Sequence, residues 1–290
     1  MMTLTARQFA HLAKCSFKAW KDDYASSMGA AIAFYTVFSI APLLIIVIAI
    51  AGFIWGEDAV RGEVMRQLGG LVGPEGAASV QTLIRSANRP THGVVATGVS
   101  IVILLVGSTS VFAELQSALD RIWQVPDLQR TAGLWRMLRA RLLSLGLVLS
   151  LGFLLLVSLA VSAGLAAVGE LAAGLFPGWQ VLLQGLNTLA SLATSTLLFA
   201  VIFKFMPQAT IAWRDVWTGA IVTAVLFEIG KVPIGLYVGG SSTISSLSAA
   251  GSLVVVLIWV YYAAQVFLLG AEFTWFYANH HGSRRPPAAQ

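Results

Sequence analysis

Seven side chains in this sequence have the chemistry to act inside an apolar setting: Glu114, Gln184, Asn187, Glu228, Lys231, Gln265 and Glu272. Each lies in or beside a long hydrophobic run, where hydrocarbon makes a polar group costly and therefore informative. Glu228 and Lys231 are three residues apart, so one helix face presents both and they are expected to pair. Gln184, Asn187, Ser191 and Thr194 recur at steps of three and four and draw one polar stripe. Thr97, Ser100, Gly107 and Glu114 draw a second, and Tyr262, Gln265 and Glu272 mark a third. Two kinds of chemistry fit such stripes. One is a polar pathway or cavity that passes a solute or a proton; the other is interhelical hydrogen bonding between closely packed helices. For Glu114, Asp120 and Glu272 the plainer expectation is pairing with cytoplasmic arginines such as Arg121.

Catalytic apparatus is missing from this inventory. The sequence holds no GxSxG, no HExxH and no Walker A loop. His11, His92, His280 and His281 all fall outside the hydrophobic runs, and Cys15 is the single cysteine. No metal site, cofactor or catalytic residue is expected, and the chain is not read as an enzyme. The basic balance, 18 Lys and Arg against 13 Asp and Glu, does not call for nucleic acid. Membrane proteins collect the same excess in their cytoplasmic loops.

The elements that must position these groups are membrane helices. Of the 290 residues, 57% are hydrophobic and 11% are charged; the mean hydropathy is +0.80. Soluble domains carry about 25% charged residues, so this surface must largely face lipid. The hydrophobic runs predict an all-α bundle of six transmembrane helices, over about 28–56, 94–113, 142–168, 181–203, 215–232 and 249–276. Thirteen basic residues fall in the N-terminal segment, the loops after the second and fourth spans, and the tail; five fall on the other side. That asymmetry places both termini in the cytoplasm. Residues 57–93 read as an extracytoplasmic loop of two short helices around GGLVGPEG (69–76). Residues 278–290 read as a flexible cytoplasmic tail.

Two prolines stand inside predicted spans. Pro42 and Pro233 each remove a backbone donor and are expected to kink or break the first and fifth spans. Residues 1–27 contain Phe9, Leu12, Ala13, Phe17 and Trp20 at helical spacing, with Arg7, Lys14, Lys18 and Lys21 on the remaining surface. That pattern predicts an amphipathic interfacial helix. It lies either on an anionic leaflet or against the protein's own cytoplasmic parts.

Five blocks carry a family resemblance: FYTVFSIAPLL (34–44), GSTSVFAELQSALDRIWQV (107–125), FMPQATIAWRDVWTGA (205–220), GKVPIGLYVGGSS (230–242) and AAGSLVVVLIWVYYAAQVFLLGAEFT (249–274). Together they resemble the YihY/BrkB family and cover almost the whole chain. The resemblance implies a six-span protein of the bacterial cytoplasmic membrane with no agreed catalytic or binding residues. Members have carried the labels "virulence factor BrkB" and "ribonuclease BN". The nuclease label finds no phosphodiesterase metal site in these residues.

The polar stripes and proline-interrupted spans point first to a transport-like protein that moves a small or amphipathic solute, lipid included. The alternative from another class is a non-transporting envelope-assembly scaffold that docks through the N-terminal helix and the 57–93 loop. Membrane lipids are the expected partners, and self-association is compatible with the sequence.

Overall fold

The computed structural model describes residues 5–87, 110–126, 179–240 and 248–285, and every regular element among them is helical. The elements are α1 (Ala6–Asp22), α2 (Ala25–Trp55), α3 (Glu57–Ala87), α4 (110–122), α5 (Trp179–Phe205), α6 (Trp213–Gly240) and α7 (Ser248–His280). The expected first, fourth, fifth and sixth spans correspond to α2, α5, α6 and α7. Most of the second span and all of the third lie outside the described residues. Among the described residues, three helical stretches are long and apolar enough to cross a membrane: Gln184–Phe205, Trp213–Ile234 and Leu253–His280. The pair Ala6–Asp22 and Ala25–Ala41, bent by 68°, makes a fourth if counted as one span.

Helix α7 is the hub. It packs against α1, α2, α3 and α6, and α5 packs on α6 while reaching α7 through Phe199 and Phe203. The α6–α7 contact is antiparallel and unusually close, and its residues explain why. Gly219 on α6 faces Thr274 on α7, and Gly270 on α7 faces Thr223 on α6. A Cβ at Gly219 would stand 2.7 Å from Thr274 Cβ, and one at Gly270 would stand 2.8 Å from Thr223 Cβ. Each helix thus offers a glycine notch and, four residues on, the threonine that fills its neighbour's notch. Both threonine hydroxyls donate back to the glycine carbonyl one turn earlier, Thr223 to Gly219 and Thr274 to Gly270, each at 2.7 Å. The hydroxyl oxygens, satisfied within their own helices, lie nearest the opposing glycines, with the methyl groups beside them. Small residues allow such close approach where lipid supplies no hydrophobic drive between helices. Around the crossing lies an apolar core of Val216, Ala220 and Ala224 with Leu268, Ala271 and the stacked rings of Phe203 and Phe267, 5.2 Å apart.

The prolines do not break the chain where expected. Helix α2 runs on through Pro42, and α6 runs on through the exposed Pro233. The sharp bend in this part of the molecule falls at Asp23–Tyr24 instead, where Tyr24 adopts a left-handed φ of 57°. Ahead of that corner, α1 begins on a capping box in which Thr5 and Gln8 satisfy each other's backbone amides. Its buried face, Leu12 and Ser16, lies on the protein's own α7, with Leu12 clustered with Phe273 and Tyr277. Phe9, Phe17, Arg7, Lys14, Lys18 and Lys21 remain exposed.

Helix α3 is helical from end to end but is not a straight rod. Met65, Leu68, Val80 and Ile84 share one apolar cluster with Ala41 of α2 and Val256 of α7. Arg61 and Arg85, 24 positions apart in the sequence, line one cavity. A straight helix would hold them about 36 Å apart, at about 1.5 Å per residue. The chain therefore folds back between Leu68 and Ala77, through the Gly- and Pro-rich GGLVGPEG. The two arms lie beside α2 near Val37–Ile45 rather than extending away from the bundle.

At the opposite end of α7 the chain is clasped. Asp215, fully buried at the start of α6, accepts hydrogen bonds from the Ser283 hydroxyl at 2.6 Å and the Ser283 amide at 3.1 Å. Gly282 lets the carboxylate in, since a Cβ there would stand 2.8 Å from Asp215 Cγ. Arg284 then donates to the Thr210 carbonyl at 2.8 Å and lies over the Trp123 ring at 5.0 Å. Asp120 of α4 accepts the Gln208 amide at 2.7 Å. Residues 278–285, expected to begin a flexible tail, are therefore held by α6 and α4. A buried carboxylate binds such a segment firmly because several donors converge on it.

Two outcomes follow from this packing. Gly219→Ala should lower stability by about 1–3 kcal/mol through overpacking against Thr274, seen as a lower thermal-unfolding midpoint in detergent. Gly185→Ala, which meets open space, should not lower it. Asp215→Ala should free the C-terminal turn, so that limited trypsin cleaves after Arg284 faster than in the parent protein.

Candidate functional site: a polar seam along the hub helix

The residues that could do chemistry gather along α7 and its contacts with α6 and α2. Tyr262, Gln265 and Glu272 fall within one face of α7, because steps of three and seven residues nearly repeat the helical period. Each buries a polar atom that has no hydrogen-bond partner among the described residues: Tyr262 Oη, Gln265 Oε1 and Glu272 Oε1. Buried polar groups are almost always partnered. Three of the seven such atoms among the described residues lie on this one face of α7.

At one end of the seam, Tyr262 leans on Gly230 of α6; a Cβ at Gly230 would stand 2.5 Å from its ring. Its ring stacks with Phe227 at 6.4 Å. This contact brings the seam next to the charged pair of α6. Lys231 and Glu228 form an ion pair at 2.6 Å, with side chains 28% and 22% exposed. Ser191 of α5 donates to the second oxygen of Glu228 at 3.0 Å, and Lys231 lies 5.9 Å from the Phe227 ring centre. The i,i+3 spacing delivers the pair, and the serine fixes the carboxylate in place. Pairing offsets part of the burial cost that either charge would meet alone.

In the middle, Gln265 projects onto the first turn of α2. Its Nε2 donates to the carbonyls of Ala25 and Ser26 at 3.4 Å each, over Gly29. Both bonds are long and hence weak, and a side chain at Gly29 would displace the amide. At the other end, Glu272 is 2% exposed. The charged group beside it is the carboxyl of Asp23, within hydrogen-bonding reach at the α1–α2 corner. The arginine partner expected for Glu272 is absent among the described residues.

The other expected site residues are placed differently. Ser191 joins the seam, but Gln184 is exposed on α5, and its backbone carbonyl accepts the Thr188 hydroxyl. Thr194 bonds its own helix at Ala190. The Asn187 side chain lies outside the described residues, as do Thr97, Ser100 and Gly107. Glu114 is half-buried on α4. Asp23, which faces Glu272, escaped the sequence reading because it sits in a charged run, Lys21-Asp22-Asp23, that looks like a solvated helix end. Asp120, expected to meet a cytoplasmic arginine, accepts the Gln208 amide 88 residues away, and Asp215 escaped notice because its partner lies 68 residues away. Among the described residues no group of three His, Cys, Asp or Glu side chains is arranged to hold a metal ion.

Comparison with known proteins places this arrangement in a family. Residues 16–290 match the family described as virulence factor BrkB. Curated relatives include a UPF0761 membrane protein of Ralstonia nicotianae, 27% identical over 256 residues, covering 86% of this chain and 55% of the relative. A UPF0761 membrane protein of Pseudomonas aeruginosa is 27% identical over 252 residues, covering 86% and 58%. Another, of Rhodospirillum centenum, is 30% identical over 257 residues, covering 86% and 53%. The chain spans little more than half the length of these relatives. No solved structure matches it. With helices apolar enough to cross a bilayer and relatives named as membrane proteins, this chain is a membrane protein of the BrkB family.

Proposed function

We propose that this protein translocates a small or amphipathic solute, lipid included, along the polar seam of α7. The observation that carries this reading is the run of three buried, unpartnered polar atoms at Tyr262, Gln265 and Glu272. A helix in a bilayer tolerates such groups where they face an interior route and not lipid. The route runs from the Glu228–Lys231 pair, past Tyr262 and Gln265, to the Asp23–Glu272 carboxyls. The long, weak bonds of Gln265 suit a side chain that gives up its partners to a passing group.

In this reading the chain crosses the bacterial inner membrane six times with both termini in the cytoplasm. The spans at 94–113 and 142–168, taken from sequence, complete the set, and the clasp of Asp215, Ser283 and Arg284 lies on the cytoplasmic side. The exposed Phe9 and Phe17 of α1, with Lys14, Lys18 and Lys21 beside them, rest on the anionic inner leaflet. That same face is what favours the second reading, a non-transporting scaffold that uses α1 for docking. The chemistry of the seam calls for no enzyme, cofactor or metal.

The test is reconstitution into proteoliposomes, followed by lipid scrambling and solute flux. Glu272→Gln and Gln265→Leu are expected to cut the signal by about tenfold, the cost of losing one or two polar contacts to the passing group. A Leu189→Ala change on the exposed face of α5 should leave it alone. If the parent protein moves neither lipid nor solute while folded, or if both seam variants match it, the translocation reading fails.

A further inference from the structure

The folded-back helix α3 carries a second site, unconnected with the seam. Between its two arms lies a cavity of about 240 Å³ lined by Arg61 and Met65 from the outgoing arm and Gln81, Ile84 and Arg85 from the returning arm. Two arginines and a glutamine line this space, and no carboxylate does among the described residues. Like charges brought together by the fold repel one another, so their convergence points to an anion that holds them. Glu57 neutralises one edge of Arg61 through a 2.7 Å contact to Nη2. The Nε–H of Arg61 is nevertheless buried without a partner. Arg85 stays exposed at the rim. The remaining donors are planar and forked, which suits an oxyanion with several acceptor oxygens. The volume is below that of ordinary drug-sized pockets and suits a headgroup. Met65 and Ile84 continue from the cavity into the apolar cluster against α2 and α7, which gives the site an apolar flank beside its charged mouth.

We propose that this cavity binds a phosphate group, borne on an anionic amphiphile or free in solution. Arg61 and Arg85 hold its oxygens, Gln81 donates a further hydrogen bond, and Met65 with Ile84 covers an adjoining apolar part. This assignment stands whether or not the α7 seam conducts anything, and its test reads binding and not flux.

The full chain in phosphatidylcholine nanodiscs would be titrated calorimetrically with dihexanoyl phosphatidylglycerol and, separately, with inorganic phosphate. Saturable binding of at least one probe is expected. Arg85→Gln should weaken it by about tenfold, and Arg61→Gln with Arg85→Gln should abolish it. Saturation by the lipid alone assigns the site to a headgroup, and saturation by phosphate alone assigns it to the free ion. Should the double variant misfold, Gln81→Glu provides an independent reading: it keeps both arginines but adds a negative charge to the cavity, and binding should be lost. The proposal is overturned if neither probe saturates the parent protein, or if folded Arg85→Gln and Gln81→Glu variants bind as the parent does.

Discussion

The close crossing of α6 and α7 is the constraint on which the rest of the structure depends. Two glycines and two threonines set it, each glycine accepting the threonine of the opposite helix. In lipid, helices gain little from burying apolar surface against each other, so shape complementarity and local hydrogen-bond satisfaction must hold them. Here the threonine hydroxyls close onto their own helices, and no polar debt is carried into the interface. The register is thereby fixed to a single turn. A shift by one turn would set Thr274 against Asp215 or Thr223 in place of Gly219.

That register decides where the polar groups meet. With Gly219 against Thr274 and Gly270 against Thr223, the antiparallel pairing continues to Gly230 against Tyr262. Tyr262 consequently arrives beside the Glu228–Lys231 pair. The same rotation of α7 turns Gln265 and Glu272 toward α2 and the α1–α2 corner. The satisfied threonine hydrogen bonds lie in the α6–α7 crossing, where the Tyr262 hydroxyl also meets Gly230, while Gln265 and Glu272 lie on the adjoining face of α7.

A similar division governs the ends of the bundle. The clasp at Asp215 joins three stretches of sequence, around residues 120–123, 208–215 and 282–284, through charge-assisted hydrogen bonds and one cation–aromatic contact. Each bond links backbone or side-chain groups that would otherwise be costly to bury. At the other end, the folded-back α3 places apolar residues on the α2–α7 surface and keeps arginines in its cleft. Both ends are built from long-range contacts around the same hub.

The sequence by itself determined the helical class, the bounds of α2, α5, α6 and α7 to within a few residues at most ends, the amphipathic α1 and the Glu228–Lys231 pair. These follow from hydropathy and helical period, which are local quantities. It also marked the Gly- and Pro-rich reversal inside α3. Pro42 and Pro233 sit within continuous helices, and a sharp corner falls at Asp23–Tyr24, where no proline stands. Only the tertiary structure decided which polar residues belong together. Glycine at 219, 230 and 270 looks unremarkable until the opposite helix is in place. Asp23, Asp120 and Asp215 look like solvated charges until residues far along the chain reach them. Period and composition report what each helix presents. The partner of each face is set by close packing between helices distant in sequence, and that information is in no single segment.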